Sequence, residues 1–70
     1  MTTIYIVHRG TLNTDSDADI FRGMNAAYSD RSEANTDADA SSCNVTSIDA
    51  YPSNGKVYMD RFCEQEIPIC

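Results

Sequence analysis

The stretch Ala27-Tyr28-Ser29-Asp30-Arg31-Ser32-Glu33-Ala34 decides the fold. A strand-favouring aromatic is followed within two residues by a helix start. Ser29 or Asp30 can cap the helix, and Asp30-x-x-Glu33 resembles a capping box. Acids crowd the first turn, where the helix dipole favours them. The spacing predicts a helix over residues 30–41 that buries Ala34 and Ala38, four residues apart. That helix holds no large apolar side chain, so it must lie on a sheet to be stable.

Upstream, residues 19–29 support two readings. Ile20, Phe21, Met24, Ala27 and Tyr28 follow helical spacing, with Ser16 or Asp17 as a cap. Gly23 in the middle weighs against a helix by about 1 kcal/mol. The alternative is a strand from Phe21 to Tyr28, bulged at Gly23; the residues leave both open, and it is a resemblance to known proteins that favours the strand. Further upstream, residues 3–9 are β-branched and aromatic, which predicts a strand. Ile4, Ile6 and His8 share one face; Tyr5, Val7 and Arg9 share the other. Both faces are partly apolar, so this strand belongs in the centre of the sheet.

Downstream, residues 43–51 are strand-like, with alternation that slips between Val45 and Ile48, as a bulge would cause. Pro52-Ser53-Asn54-Gly55 is a turn, and Asn-Gly is a strong hairpin signal. Residues 56–63 return as a strand, and the tail from Glu64 to Cys70 reads as extended or frayed. The expected core comprises Ile4, Ile6, Val7, Leu12, Ile20, Phe21, Met24, Val45, Ile48, Val57, Met59 and Phe62. The expectation is one α+β domain over residues 1–70, a two-layer sandwich. Its antiparallel sheet has three or four strands and one short helix, in the order β-(β)-α-β-β.

Composition narrows the function. Eleven Asp or Glu against five Lys or Arg give a formal charge of −6. Direct nucleic-acid binding is excluded, because it needs a Lys/Arg surface. No stretch approaches the roughly 18 apolar residues of a membrane span, and the N-terminus lacks secretory-signal features. Three widely spaced cysteines, Cys43, Cys63 and Cys70, do not make a disulfide framework. These features predict a cytoplasmic protein with reduced thiols.

Three chemical motifs fail on inspection. Asp15-x-Asp17-x-Asp19 resembles the opening of a calcium loop. In either register, starting at Asn13 or Asp15, the required Gly and Glu are missing. Cys43 or Cys63 with His8 would need an orienting residue and a dry pocket, for which so short a chain has little room. Zinc would draw on Cys43, Cys63, Cys70 and His8, but no ligand pair has zinc-site spacing. The expectation is a non-enzyme with no cofactor and no metal.

The position of the acids is more informative. Seven of the eleven (Asp15, Asp17, Asp19, Asp30, Glu33, Asp37 and Asp39) lie between residues 15 and 39, offset only by Arg22 and Arg31. On a helix, Asp30, Glu33 and Asp37 form one stripe. Neighbours on it stand roughly one turn apart, about 5 Å along the axis, comparable to phosphates along a nucleic-acid strand. Like charges on one face destabilise a helix, so such a face can serve to attract a basic groove. The competing explanation is that the acids only solubilise a small domain. Partner-binding candidates are Asp30, Glu33 and Asp37, then Asp15, Asp17 and Asp19. Tyr51, Met59, Tyr58, Arg61 and Phe62 add residue types typical of interface anchors, though about half must pack under the helix.

The stretch from Ala27 to Ala34 resembles a pattern in short phage and mobile-element proteins of unassigned role. In those proteins a strand like Ile4-Tyr5-Ile6-Val7 opens the chain. A second strand ends in an aromatic-Ser step and runs into an acidic helix with Glu-Ala, and two strands follow. The helix here departs from that pattern in being short and rich in Ala, Asn and Thr instead of Leu. The plan is also similar to that of phage-encoded inhibitors of bacterial defence, some anti-CRISPR proteins among them. The resemblance implies a non-catalytic inhibitor in the host cytoplasm. Its partner would be a host nucleic-acid-binding protein or nucleoprotein, and its carboxylates would act as phosphate surrogates. The alternative is a structural or regulatory homodimer that pairs sheet edges or an apolar face, with the acids serving solubility alone.

Overall fold

Thr2–His8 forms β1, and its run of β-branched and aromatic residues places it inside the sheet. The computed structural model describes residues 2–70. After β1 come α1 (Asp17–Gly23), β2 (Met24–Tyr28), α2 (Arg31–Ser41), β3 (Asn44–Ser53) and β4 (Lys56–Tyr58). The strands lie in the order β2-β1-β3-β4, every neighbouring pair antiparallel. Among the described residues the fold is therefore α+β, with a four-stranded antiparallel sheet and two helices.

Alternation along β1 builds two cores. Ile4 and Ile6 point to one face, where they meet Ile20 of α1, Ala27, Ala50, Met59 and Ile67. Val7 points to the other face and meets Ala34 and Ala38 of α2. These alanines are 0% and 4% exposed, and their single methyls let α2 lie close on the sheet. The Asp30 carboxylate accepts the Glu33 backbone N–H at 3.1 Å, capping the helix as the capping-box spacing requires. At the other end Ser42 turns into the left-handed region (φ 56), and the Cys43 N–H donates to the Ala38 carbonyl at 2.8 Å.

The hairpin between β3 and β4 closes on Asn54 and Gly55, with φ of 53 and 78. Two successive left-handed residues match the twist of the flanking strands, which is why Asn-Gly marks this turn. Ser53 and Lys56 pair across it.

Several expectations are corrected. Residues 19–29 divide instead of forming one strand: a helix ends at Gly23 and a strand starts at Met24. Ile20 anchors that helix in the core. A Cβ on Gly23 would stand 2.8 Å from Leu12 Cδ1, the movable end of a half-buried side chain at this helix end. A second helix, α1, joins the C-terminal tail on the face of the sheet opposite α2, so the two-layer, one-helix plan is met only roughly. The β1–β3 register is unbroken, and the irregularity falls between Val7 and His8 against β2. β4 stops at Tyr58 because Asp60 takes over: its carboxylate accepts the Phe62 N–H at 2.8 Å and turns the chain. Phe62 consequently leaves the core and is 86% exposed. The tail is docked: Ile67 is 1% exposed, and its N–H donates to the Val57 carbonyl at 2.7 Å. Further bridges join Glu66 to Tyr58 and Ile69 to Ala27.

Candidate interaction surface on helix α2

Ala34 and Ala38 face inward, and Asp30, Glu33 and Asp37 lie along one flank of that buried stripe, toward Tyr28 of β2 and the tail. These three carboxylates line one shallow groove of about 690 Å³ with Tyr28, Thr36 and Cys70. The stripe expected from their spacing is thus formed, and β2 and the tail supply its far wall.

The carboxylates differ in how they are held. Asp30 is tied to the helix start as its cap. Asp37 is half-buried and accepts from the Tyr28 hydroxyl at 2.6 Å and from Ser41 Oγ at 3.2 Å. The Tyr28 phenol is pushed up to about 12, first by the hydrogen bond to Asp37, then by desolvation and the Asp37 charge, with a contribution from Cys70. Glu33 is exposed, and among the described residues its carboxylate has no hydrogen bond or ion pair. The one base on α2, Arg31, stacks over the Tyr5 ring at 5.7 Å and leaves the groove negative.

Asp15, Asp17 and Asp19 do not join this surface. They belong to the loop and first turn of α1, whose Ile20 packs on the opposite face of the sheet. Asp15 is exposed in a turn where its N–H donates to Asn13 Oδ1 at 3.1 Å. Burial raises the Asp17 carboxyl, aided by the charge of Asp60 and a hydrogen bond to it. Asp19 accepts from Asn13 Nδ2 at 2.8 Å and faces Arg22 at 3.9 Å. The six candidates therefore form two separate sets.

Two groove residues were missed from sequence. Tyr28 read as a strand aromatic, although its place two residues before the cap forces it to the start of α2. Its contact with Asp37 depends on α2 folding back beside β2, which no local pattern encodes. Cys70 ends a tail that reads as extended or frayed; its N–H donates to the Ala27 carbonyl at 2.8 Å, so the extended reading is the one that applies.

His8 lies in the core at 2% exposure, with Nε2 2.6 Å from Thr46 Oγ1 and, among the described residues, no partner for Nδ1. Cys43 bonds to Asn25 and to the Ser41 carbonyl, and Cys63 to the Gln65 carbonyl. Among the described residues no three His, Cys, Asp or Glu side chains are grouped to hold a metal ion. Also among them, no helix is long and apolar enough to cross a membrane. Comparison with protein-family models, with curated proteins and with solved structures returns no match.

Proposed function

We propose that this chain is a non-catalytic, phage-type inhibitor that binds a basic, nucleic-acid-binding surface of a host defence protein or nucleoprotein. The reading is anti-CRISPR-like, with partial mimicry of a nucleic acid, and it places the protein in the host cytoplasm. One observation carries it: Asp30, Glu33 and Asp37 line a single groove from which the only base of α2 is turned away. A surface of unneutralised carboxylates raises its own potential and speeds encounter with a basic partner. Glu33, exposed and unpaired among the described residues, is the residue freest to reach that partner. Asp37 is committed to Tyr28 and Ser41, so it shapes the groove as much as it charges it. The Asp15, Asp17 and Asp19 set, on the other face, is at most a secondary contact.

The test is affinity capture from a host lysate, quantified by mass spectrometry, with the wild-type chain and an Asp30→Asn/Glu33→Lys variant. Asn keeps the cap acceptor while removing the charge. The captured protein should be a nucleic-acid binder that duplex nucleic acid and raised salt displace, and the variant should lose it several-fold. Capture indifferent to salt and to the variant contradicts the electrostatic mechanism.

A further inference from the structure

β3 is ten residues long, and its neighbours leave part of it unused. Residues 44–50 pair with β1 on one side, whereas β4 takes only residues 51–53. Among the described residues no backbone hydrogen bond or bridge reaches the other side of residues 44–50. Every second residue there directs its N–H and C=O away from β1. The strands at the ends of the sheet order are treated differently: the tail bridges Tyr58 of β4 and Ala27 of β2. Natural proteins blunt an open edge with charged side chains, Lys above all, with Pro or with a bulge. Residues 44–50 read Asn-Val-Thr-Ser-Ile-Asp-Ala, carry one charge (Asp49) but no Lys or Pro, and keep an unbroken register with β1.

We infer that this edge pairs with the same edge of a second copy of the chain, antiparallel about a two-fold axis at Ser47. A two-fold contact uses one patch twice, so the patch must suit itself. The open stretch ends at Asp49, because Ala50 is fully buried and Tyr51 is already paired with Tyr58. The register that centres on residues 45–49 sets Ser47 opposite its copy, Thr46 opposite Ile48, and Val45 opposite Asp49. Thr46 and Ile48 are both half-buried and β-branched, and they make a favourable cross-strand pair. Asp49 is the only charge on the stretch, and in this register it meets Val45 of the second copy, not another carboxylate.

Charge also selects the occupant. A basic partner is drawn to the groove on α2, whereas this nearly neutral edge has little to offer it. The groove is walled by Tyr28 of β2 and by Cys70, toward the other end of the strand order. Pairing through β3 therefore leaves the groove open and keeps the two groove sets apart.

The test is the mass of the full chain by size-exclusion chromatography with light scattering, over a range of micromolar concentrations. The expected mass is twice that of the 7.7 kDa chain. Ser47 is exposed, so Ser47→Lys spares the monomer but sets two ammonium groups against each other at the axis. It should raise the dimer dissociation constant about fivefold or more. Hydrogen exchange of the wild-type chain at two concentrations gives a readout independent of the variant: amides within residues 44–50 should slow as concentration rises. A 7.7 kDa mass at every concentration overturns the inference. So does a dimer that ignores Ser47→Lys and protects amides elsewhere.

Discussion

The Tyr28 hydroxyl, 2.6 Å from Asp37, joins the sheet to the helix that carries the charged groove. Its pKa rises from 10.0 to about 12, which gives the contact a pH signature. Below about pH 10 the phenol is protonated in both folded and unfolded chains, and its contribution to stability is complete. As pH climbs through the window from 10 to about 12, the unfolded chain loses its proton first and the contribution fades. Tyr28→Phe should therefore melt below the wild type at neutral pH, and the gap should close across that window. Thermal unfolding followed by circular dichroism measures both limbs. A gap that stays constant from neutral to alkaline pH would mean that the hydrogen bond is not what stabilises the junction.

Among the elements, α2 depends most on its surroundings. It buries only two alanines, so its cap carries an unusual share of its stability. Asp30→Ala should cost about 1 kcal/mol, whereas Asp30→Asn should cost little, because Asn retains the acceptor; urea midpoints of the two variants distinguish these outcomes. This helix was legible in sequence because its cap, its acids and its paired alanines all agree on one boundary. β1 and the Asn54-Gly55 turn were legible for the same reason. α1 was not, because Ile20, Phe21 and Met24 fit both the helical and the strand period in so short a run. The choice was made by tertiary contacts, chiefly Ile20 in the core and Leu12 against Gly23. The groove was half legible. The spacing of Asp30, Glu33 and Asp37 places them on one stripe, but linear order gives no sign that α1 carries its acids to the opposite face.

The whole molecule is held by two thin cores on either side of one sheet. At this size a single core is marginal, and the tail compensates by placing Ile67 against Ile4 and Ile6. Ile67→Ala should destabilise the chain by about 2–4 kcal/mol, as read by denaturant unfolding. A loss under roughly 1 kcal/mol would mean that the tail is frayed and not docked. The formal charge of −6 is likewise not spread evenly: one part flanks α1, and the other gathers in the α2 groove. The central claim is that the groove, not the net charge, captures a basic partner. The most direct measurement compares two variants of equal charge change, Asp30→Asn/Glu33→Lys in the groove and Glu64→Lys/Glu66→Gln outside it, by quantitative capture from host lysate. The groove variant should lose the partner several-fold while the control retains it. Equal loss in both would show that only the overall charge matters, and would contradict the account.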